Sequence, residues 1–157
     1  MKLYYSPGAC SLSPHIVLRE AGVPFDLVKV DLKTKTMAGG GDYRAVNPLG
    51  YVPLLELDDG IRLHEGPAIV QYVAEKAGRV GPKDLVQAAG TFERAQLQSW
   101  LNFIATELHK GSSPLFNPAL GDDAKAIFKM RLLDRLASFD QHMQSNAYVM
   151  GDTLTVA

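Results

Sequence analysis

The chain has 157 residues, a formal net charge of −1 at pH 7 and a single cysteine. That length allows one domain or two small ones, at roughly 100–200 residues per domain, and so small a net charge argues against a broad nucleic-acid surface. No apolar run reaches the roughly 18 residues of a membrane span, an internal disulfide is excluded, and the sequence reads as a soluble protein of the reducing cytoplasm.

Lys2-Leu3-Tyr4-Tyr5 reads as a short strand stopped by Ser6-Pro7-Gly8. Ser13-Pro14 predicts an N-cap followed by Pro at the first helical position, with the helix running to Ala21 and stopped by Gly22 and Pro24. Phe25 to Leu32 alternates in part and predicts a second strand, so the opening order is that of a parallel βαβ unit. Lys33 to Pro48 is polar and holds Gly39-Gly40-Gly41, which lacks the Lys-Ser/Thr of a phosphate loop and reads as a mobile loop. Tyr51 to Leu57 and Ile61 to His64 predict two antiparallel strands around Asp58-Asp59-Gly60. Pro67 then opens a helix over Ala68 to Ala77, ended by Gly78. The expectation is one mixed sheet covered by helices.

Residues 79–90 read as a linker, and beyond them strand signals largely vanish. Leu97, Leu101, Ile104 and Leu108 make a helical stripe within 91–110, widened by Trp100 and Phe103. Leu132, Leu136, Phe139 and Met143 make another within 122–145. The predicted division is therefore 1–78, a linker over 79–90, and an all-helical part over 91–157. Thr155 reads as an N-cap whose helix has not begun, so the helical part is expected to be incomplete.

Cys10 has two readings, a small core residue or a thiol made nucleophilic by the helix start that follows it. Val52-Pro53 is either an edge strand or a cis bond that turns the backbone toward a peptide-like ligand. Glu65-Gly66 is either an acid offsetting a helix dipole or a ligand clamp. In the second case the carboxylate meets an ammonium and the Gly66 N–H meets a carboxylate, and a γ-glutamyl group carries both charges. His109 lies on a small polar face with Asn102, Ala105 and Thr106, as a cation near a helix end or as a group lining a cleft. His15, His64 and His142 show no metal-ligand spacing.

Four segments, KLYYSPGACSLSPHIVLREAG, NPLGYVPLLELDDG, HEGPAIVQYVAEKAG and WLNFIATELHKGSSPLFNP, together resemble the glutathione S-transferases, most closely the bacterial beta class. The resemblance implies a thioredoxin-like N-terminal domain, βαβαββα about a mixed sheet, and an all-α C-terminal domain. It implies glutathione as co-substrate, a small electrophile as second substrate, a homodimer, no metal, no nucleic acid and no membrane. Cys10 matches the cysteine beside the glutathione sulfur, and His109 the histidine that assists it. Val52, before Pro53, matches the backbone clamp on the cysteinyl part. Glu65 and Gly66 match the γ-glutamyl pair, although some relatives carry Ser where Gly66 stands. Lys35 matches the lysine for the glycyl carboxylate, and Asn102, Thr106 and Glu107 match positions near the same site. Tyr5 resembles in position the tyrosine of other classes, but Cys10 takes precedence here. In relatives an Asp and further helices follow the TVA of 155–157, which makes a C-terminally truncated chain the expectation. The reactions implied are conjugation of glutathione to an electrophilic carbon, and reduction or dehalogenation through a Cys10 mixed disulfide. The alternatives are a non-catalytic binding protein of this fold and an inactive fragment.

Overall fold

Lys2–Tyr5 forms β1, Asp26–Asp31 β2, Thr36–Met37 β3, Leu54–Glu56 β4 and Arg62–His64 β5 in the computed structural model, which describes all 157 residues. The order across the five-stranded sheet is β3-β2-β1-β4-β5. β1 runs parallel to β2 and antiparallel to β4, while β3 and β5 close the edges antiparallel. The mixed sheet and the parallel first unit are therefore as expected. Two compact units are present, Met1–Arg79 and Val80–Ala157.

In the first unit, α1 spans Leu12–Glu20, two residues earlier than Ser13-Pro14 predicts. Ser11 is the N-cap, but its hydroxyl does not cap the helix. It donates to the Ser6 carbonyl at 3.2 Å and accepts from the Ser6 N–H at 3.1 Å, tying the loop that carries Cys10. Pro14 then falls at the third helical position, where an N–H has no intrahelical partner to lose. The second helix of the βαβαββα order is only a single 3₁₀ turn, Tyr43–Ala45. Gly39, Gly40 and Gly41 all hold left-handed φ, between 91° and 96°, so no α-helix can run through them. β4 begins at Leu54 rather than Tyr51, because Pro53 has no N–H to give a ladder. α2 spans Gly66–Lys76 with Pro67 at its second position.

Alternation along the central strands separates two faces. Tyr4 pairs with Leu54, and these two share a buried cluster with Val30, Tyr43 and Val52. Leu3 pairs with Leu55 on the opposite face, and both are fully buried. α1 and α2 pack together and bury Val17, Leu18, Ile69, Val70, Val73 and Ala74.

One carboxylate joins three strands. Glu56 is buried and accepts from Lys2 Nζ at 3.2 Å, Arg62 Nε at 2.9 Å and the Tyr4 hydroxyl at 3.4 Å. Burial pushes its carboxyl upward, but hydrogen bonds from Arg62 and Lys2 outweigh this and hold it below the ordinary glutamate value of 4.5. A carboxyl with a lowered native pKa contributes stability that is present above the unfolded pKa and lost as pH falls through the native one. The melting temperature should therefore drop on acidification below about pH 4.5. Glu56→Gln should flatten that drop in a melting series from pH 3 to pH 7; an unchanged acid slope would place the titration elsewhere.

In the second unit, residues 80–90 are more than a tether: Leu85, Val86 and Gln87 are buried. The Leu85 carbonyl accepts from the Val156 N–H at 2.8 Å, and Arg94 Nη1 donates to the Gln87 carbonyl at 2.6 Å. α3 spans Phe92–Phe103, and Thr91 caps it by accepting from the Arg94 N–H at 3.1 Å. The sequence predicts one helix to Lys110. Instead Ile104–His109 is a π-helical segment, followed by the single turn α4 (Lys110–Ser112) and a 3₁₀ turn over Ser113–Phe116 that meets Pro114. α5 spans Asp122–Met143. Thr155 Oγ1 accepts from the Ala157 N–H at 3.3 Å, the bond a capping threonine makes. No helix is long and apolar enough to cross a membrane.

Candidate functional site

The loop between β1 and α1 brings Cys10 to the residue before α1's N-cap. The thiol is exposed and donates to the Val52 carbonyl at 3.4 Å. Cys10 and Val52 are 42 residues apart in sequence, so this contact is a product of the fold. The core reading of Cys10 is overturned by its exposure. Val52 itself is buried, and the Val52–Pro53 bond is cis.

The segment before Val52 is held by side chains the sequence reading missed. The Tyr51 carbonyl accepts from the Tyr43 hydroxyl at 2.8 Å and from Asn47 Nδ2 at 2.8 Å. Asn47 Oδ1 accepts from the Leu49 N–H at 3.2 Å, and the Asn47 carbonyl from the Gly50 N–H at 2.8 Å. Asn47-Pro48-Leu49-Gly50 is a turn signature in the sequence, but nothing local says that Asn47 and Tyr43 converge on one carbonyl. Gly50 sits at φ 64°, a left-handed backbone that favours glycine, and a Cβ there would lie 3.2 Å from Lys35 Cδ, so the lysine side chain would have to shift.

Lys35 lies against this loop. Asp31 accepts the Lys33 and Thr34 N–H groups at 2.8 and 3.1 Å, which turns the chain after β2. Hydrogen bonds from Thr34 and then Lys33 hold the Asp31 carboxyl below its ordinary value. Lys35 follows at φ 60° and donates from Nζ to the Gly50 carbonyl at 3.0 Å.

Glu65 occupies the N-cap position of α2 with φ 68° and ψ 118°, a conformation few non-glycine residues adopt. Strain of this kind costs on the order of 1–3 kcal/mol and gathers at ligand sites. Its exposed carboxylate makes no capping hydrogen bond to the helix. Gly66 follows against the cis proline: a Cβ on it would lie 3.9 Å from Pro53 Cγ, room enough for a serine.

Asn102, Thr106, Glu107 and His109 belong to the second unit. Thr106 donates to the Asn102 carbonyl at 2.8 Å, and His109 is exposed at the end of the π segment. Glu107 is engaged within its own unit. Its carboxylate accepts from Arg135 Nε at 2.8 Å and Arg131 at 3.3 Å, both on α5, and these bonds, Arg135's foremost, hold its carboxyl below the ordinary value. It ties the π segment to α5. π-helical segments recur at functional sites, and this one carries three of the four residues. No three His, Cys, Asp or Glu side chains come together as a metal site would need.

A family profile described as "Glutathione S-transferase, N-terminal domain" matches residues 8–76. The chain is 45% identical over its full length to "Glutathione S-transferase GstA" of Escherichia coli O157:H7, covering 77% of that protein. Among solved structures it is similar to "Ternary complex of BphK, a bacterial GST", at 58% identity and a TM-score of 0.93, covering 99% of this chain and 76% of that one. It is also similar to "Bacterial beta class Sphingomonas chungbukensis Glutathione S-transferase", at 43% identity and a TM-score of 0.89, with the same two coverages. The chain therefore belongs to the glutathione S-transferase family, in its bacterial beta class.

Proposed function

We propose that this transferase binds glutathione along the Val52–Pro53 edge and α2's N-terminus, with Cys10 beside the substrate sulfur. The observation that carries the reading is the 3.4 Å approach of the Cys10 thiol to the Val52 carbonyl. It puts the one thiol of the chain next to backbone that a peptide-like ligand can pair with in β fashion. In this reading Glu65 meets the γ-glutamyl ammonium and the Gly66 N–H its carboxylate, at the positive end of an 11-residue helix. Lys35 exchanges the Gly50 carbonyl for the glycyl carboxylate. The beta-class resemblance assigns His109 to assisting the thiol, and Asn102 and Thr106 to polar contacts. Glu107 is left out of this set, since two arginines hold its carboxylate.

Two reactions follow from this arrangement. In conjugation, the glutathione thiolate forms a C–S bond to a small electrophile, whose leaving group departs with the electron pair. In reduction, the Cys10 thiolate attacks the glutathione sulfur of a mixed disulfide, releasing the substrate thiolate, which takes up a proton. A second glutathione thiolate then attacks that sulfur, releasing the Cys10 thiolate and leaving as glutathione disulfide, so one glutathione thiol is oxidised for each mixed disulfide reduced. Reductive dehalogenation would use the same cysteine. The chain would act as a homodimer in the reducing cytoplasm.

Titration calorimetry with glutathione and turnover of chlorodinitrobenzene test the reading together. Saturable binding is expected, with a KM for glutathione in roughly the 1 µM–1 mM range usual for enzymes. Binding without turnover on either conjugation or mixed-disulfide substrates would point to the binding-protein alternative, and neither heat nor turnover would sink both.

A further inference from the structure

We propose that Tyr43 and Asn47 are positioning residues that aim the Val52 N–H at glutathione by gripping the carbonyl of the preceding residue. The inference rests on the glutathione reading above. The Tyr51–Val52 peptide is trans, the only cis bond being the next one. In a trans peptide unit the C=O and N–H lie in one plane and point in opposite directions. Whatever fixes the Tyr51 carbonyl therefore fixes the direction of the Val52 N–H.

Two buried donors fix that carbonyl. Tyr43 is 0% exposed and Asn47 1% exposed, and each donates to it at 2.8 Å. Using both lone pairs of one carbonyl leaves the peptide plane little freedom to rotate. Because the donors lie on the buried side, the Val52 N–H is turned to the other side. Val52's own carbonyl is engaged in turn by the Cys10 thiol. The peptide units on both sides of the Val52 Cα are thus tied before any substrate arrives. Preorganisation of this kind strengthens binding by cutting the ordering cost.

The donors are themselves anchored. The Tyr43 N–H donates to the Lys35 carbonyl at 2.7 Å, and its ring packs on Tyr4 with centroids 5.5 Å apart. Burial pushes the Tyr43 hydroxyl above its ordinary value of 10, so it remains a donor across the working pH range. The Asn47 amide is oriented by its second bond, since Oδ1 accepts from Leu49 while Nδ2 faces Tyr51. Two bonds on the carbonyl adjoining the clamp residue point to direction, not merely cohesion.

Tyr43→Phe, Asn47→Ala and the double variant test this in the full chain. Tyr43→Phe removes one hydroxyl and keeps the buried ring, so folding is preserved. Losing one such bond should raise the calorimetric Kd for glutathione by about 3–10-fold, and the double variant should exceed either single one. KM for glutathione should follow, while KM for chlorodinitrobenzene should not. Without any ligand, amide exchange of the peptide spanning Leu49 to Leu54 should quicken, with exchange in β1 unchanged. A lowered melting temperature with unchanged Kd in all three variants would overturn the assignment and leave Tyr43 and Asn47 as stabilising residues only. Failure of the unmodified chain to bind glutathione would instead overturn the glutathione reading on which the assignment rests.

Discussion

Cys10→Ala is expected to abolish reduction of glutathione mixed disulfides, lowering turnover on the order of 10³-fold or more, the scale on which loss of a nucleophile is felt. The side chain is exposed, and its thiol donates weakly to the Val52 carbonyl at 3.4 Å. Its removal therefore leaves no cavity and should cost little stability, within the roughly ±0.5 kcal/mol of a surface change. Conjugation should respond differently. There the attacking sulfur belongs to glutathione, and Cys10 would only sit beside it, so the loss should be smaller and should fall mainly on KM for glutathione. Measuring both activities on one preparation separates the roles. Reductase turnover that survives the substitution would remove Cys10 from the mechanism.

The second large effect is expected in the core beneath the site. Leu54→Ala should lower unfolding free energy by about 2–5 kcal/mol. Leu54 is 0% exposed, lies on the central β4, and pairs with Tyr4 on one side and His64 on the other. Strands on both flanks hold the cavity open, so little collapse can refill it. Its cluster includes Tyr43 and Val52, so the same substitution should also loosen the backbone clamp. Urea denaturation followed by circular dichroism should show a lower midpoint at constant slope. A loss under about 1 kcal/mol would mean that the neighbours repack.

Much of the first unit was legible because its cues are local. Gly and Pro mark most of its element ends, and alternation marks its strands. The site was legible where the chemistry and the turn fall in one stretch, as with Cys10 after Pro7-Gly8, Val52 before Pro53, and Glu65 before Gly66-Pro67. Tyr43 and Asn47 were not legible, because their role is a shared bond to a carbonyl eight and four residues on, across a turn. The ion pairs of Glu107 were hidden for a related reason: Arg131 and Arg135 lie 24 and 28 residues away on another helix. The second helix of the βαβαββα order is shortened to one 3₁₀ turn on backbone grounds, since three consecutive left-handed glycines precede Tyr43.

The π segment changes how residue numbers convert into directions. An α-helix advances about 100° per residue, and the Leu97, Leu101, Ile104, Leu108 stripe assumes that phase throughout. A six-residue run of wider turns at Ile104–His109 breaks the phase, as if one residue had been slipped into an otherwise continuous rod. Side chains after Phe103 are therefore displaced around the axis from where a helical wheel would draw them. Deleting a single residue from the run, for instance Ala105, would turn it back into α-helix and leave His109 facing nearly as it does now relative to Leu97 and Leu101, because six wide steps sweep about the same angle as five α steps. In this rod one extra residue is absorbed within the run itself, and the composition of α3 stays untouched.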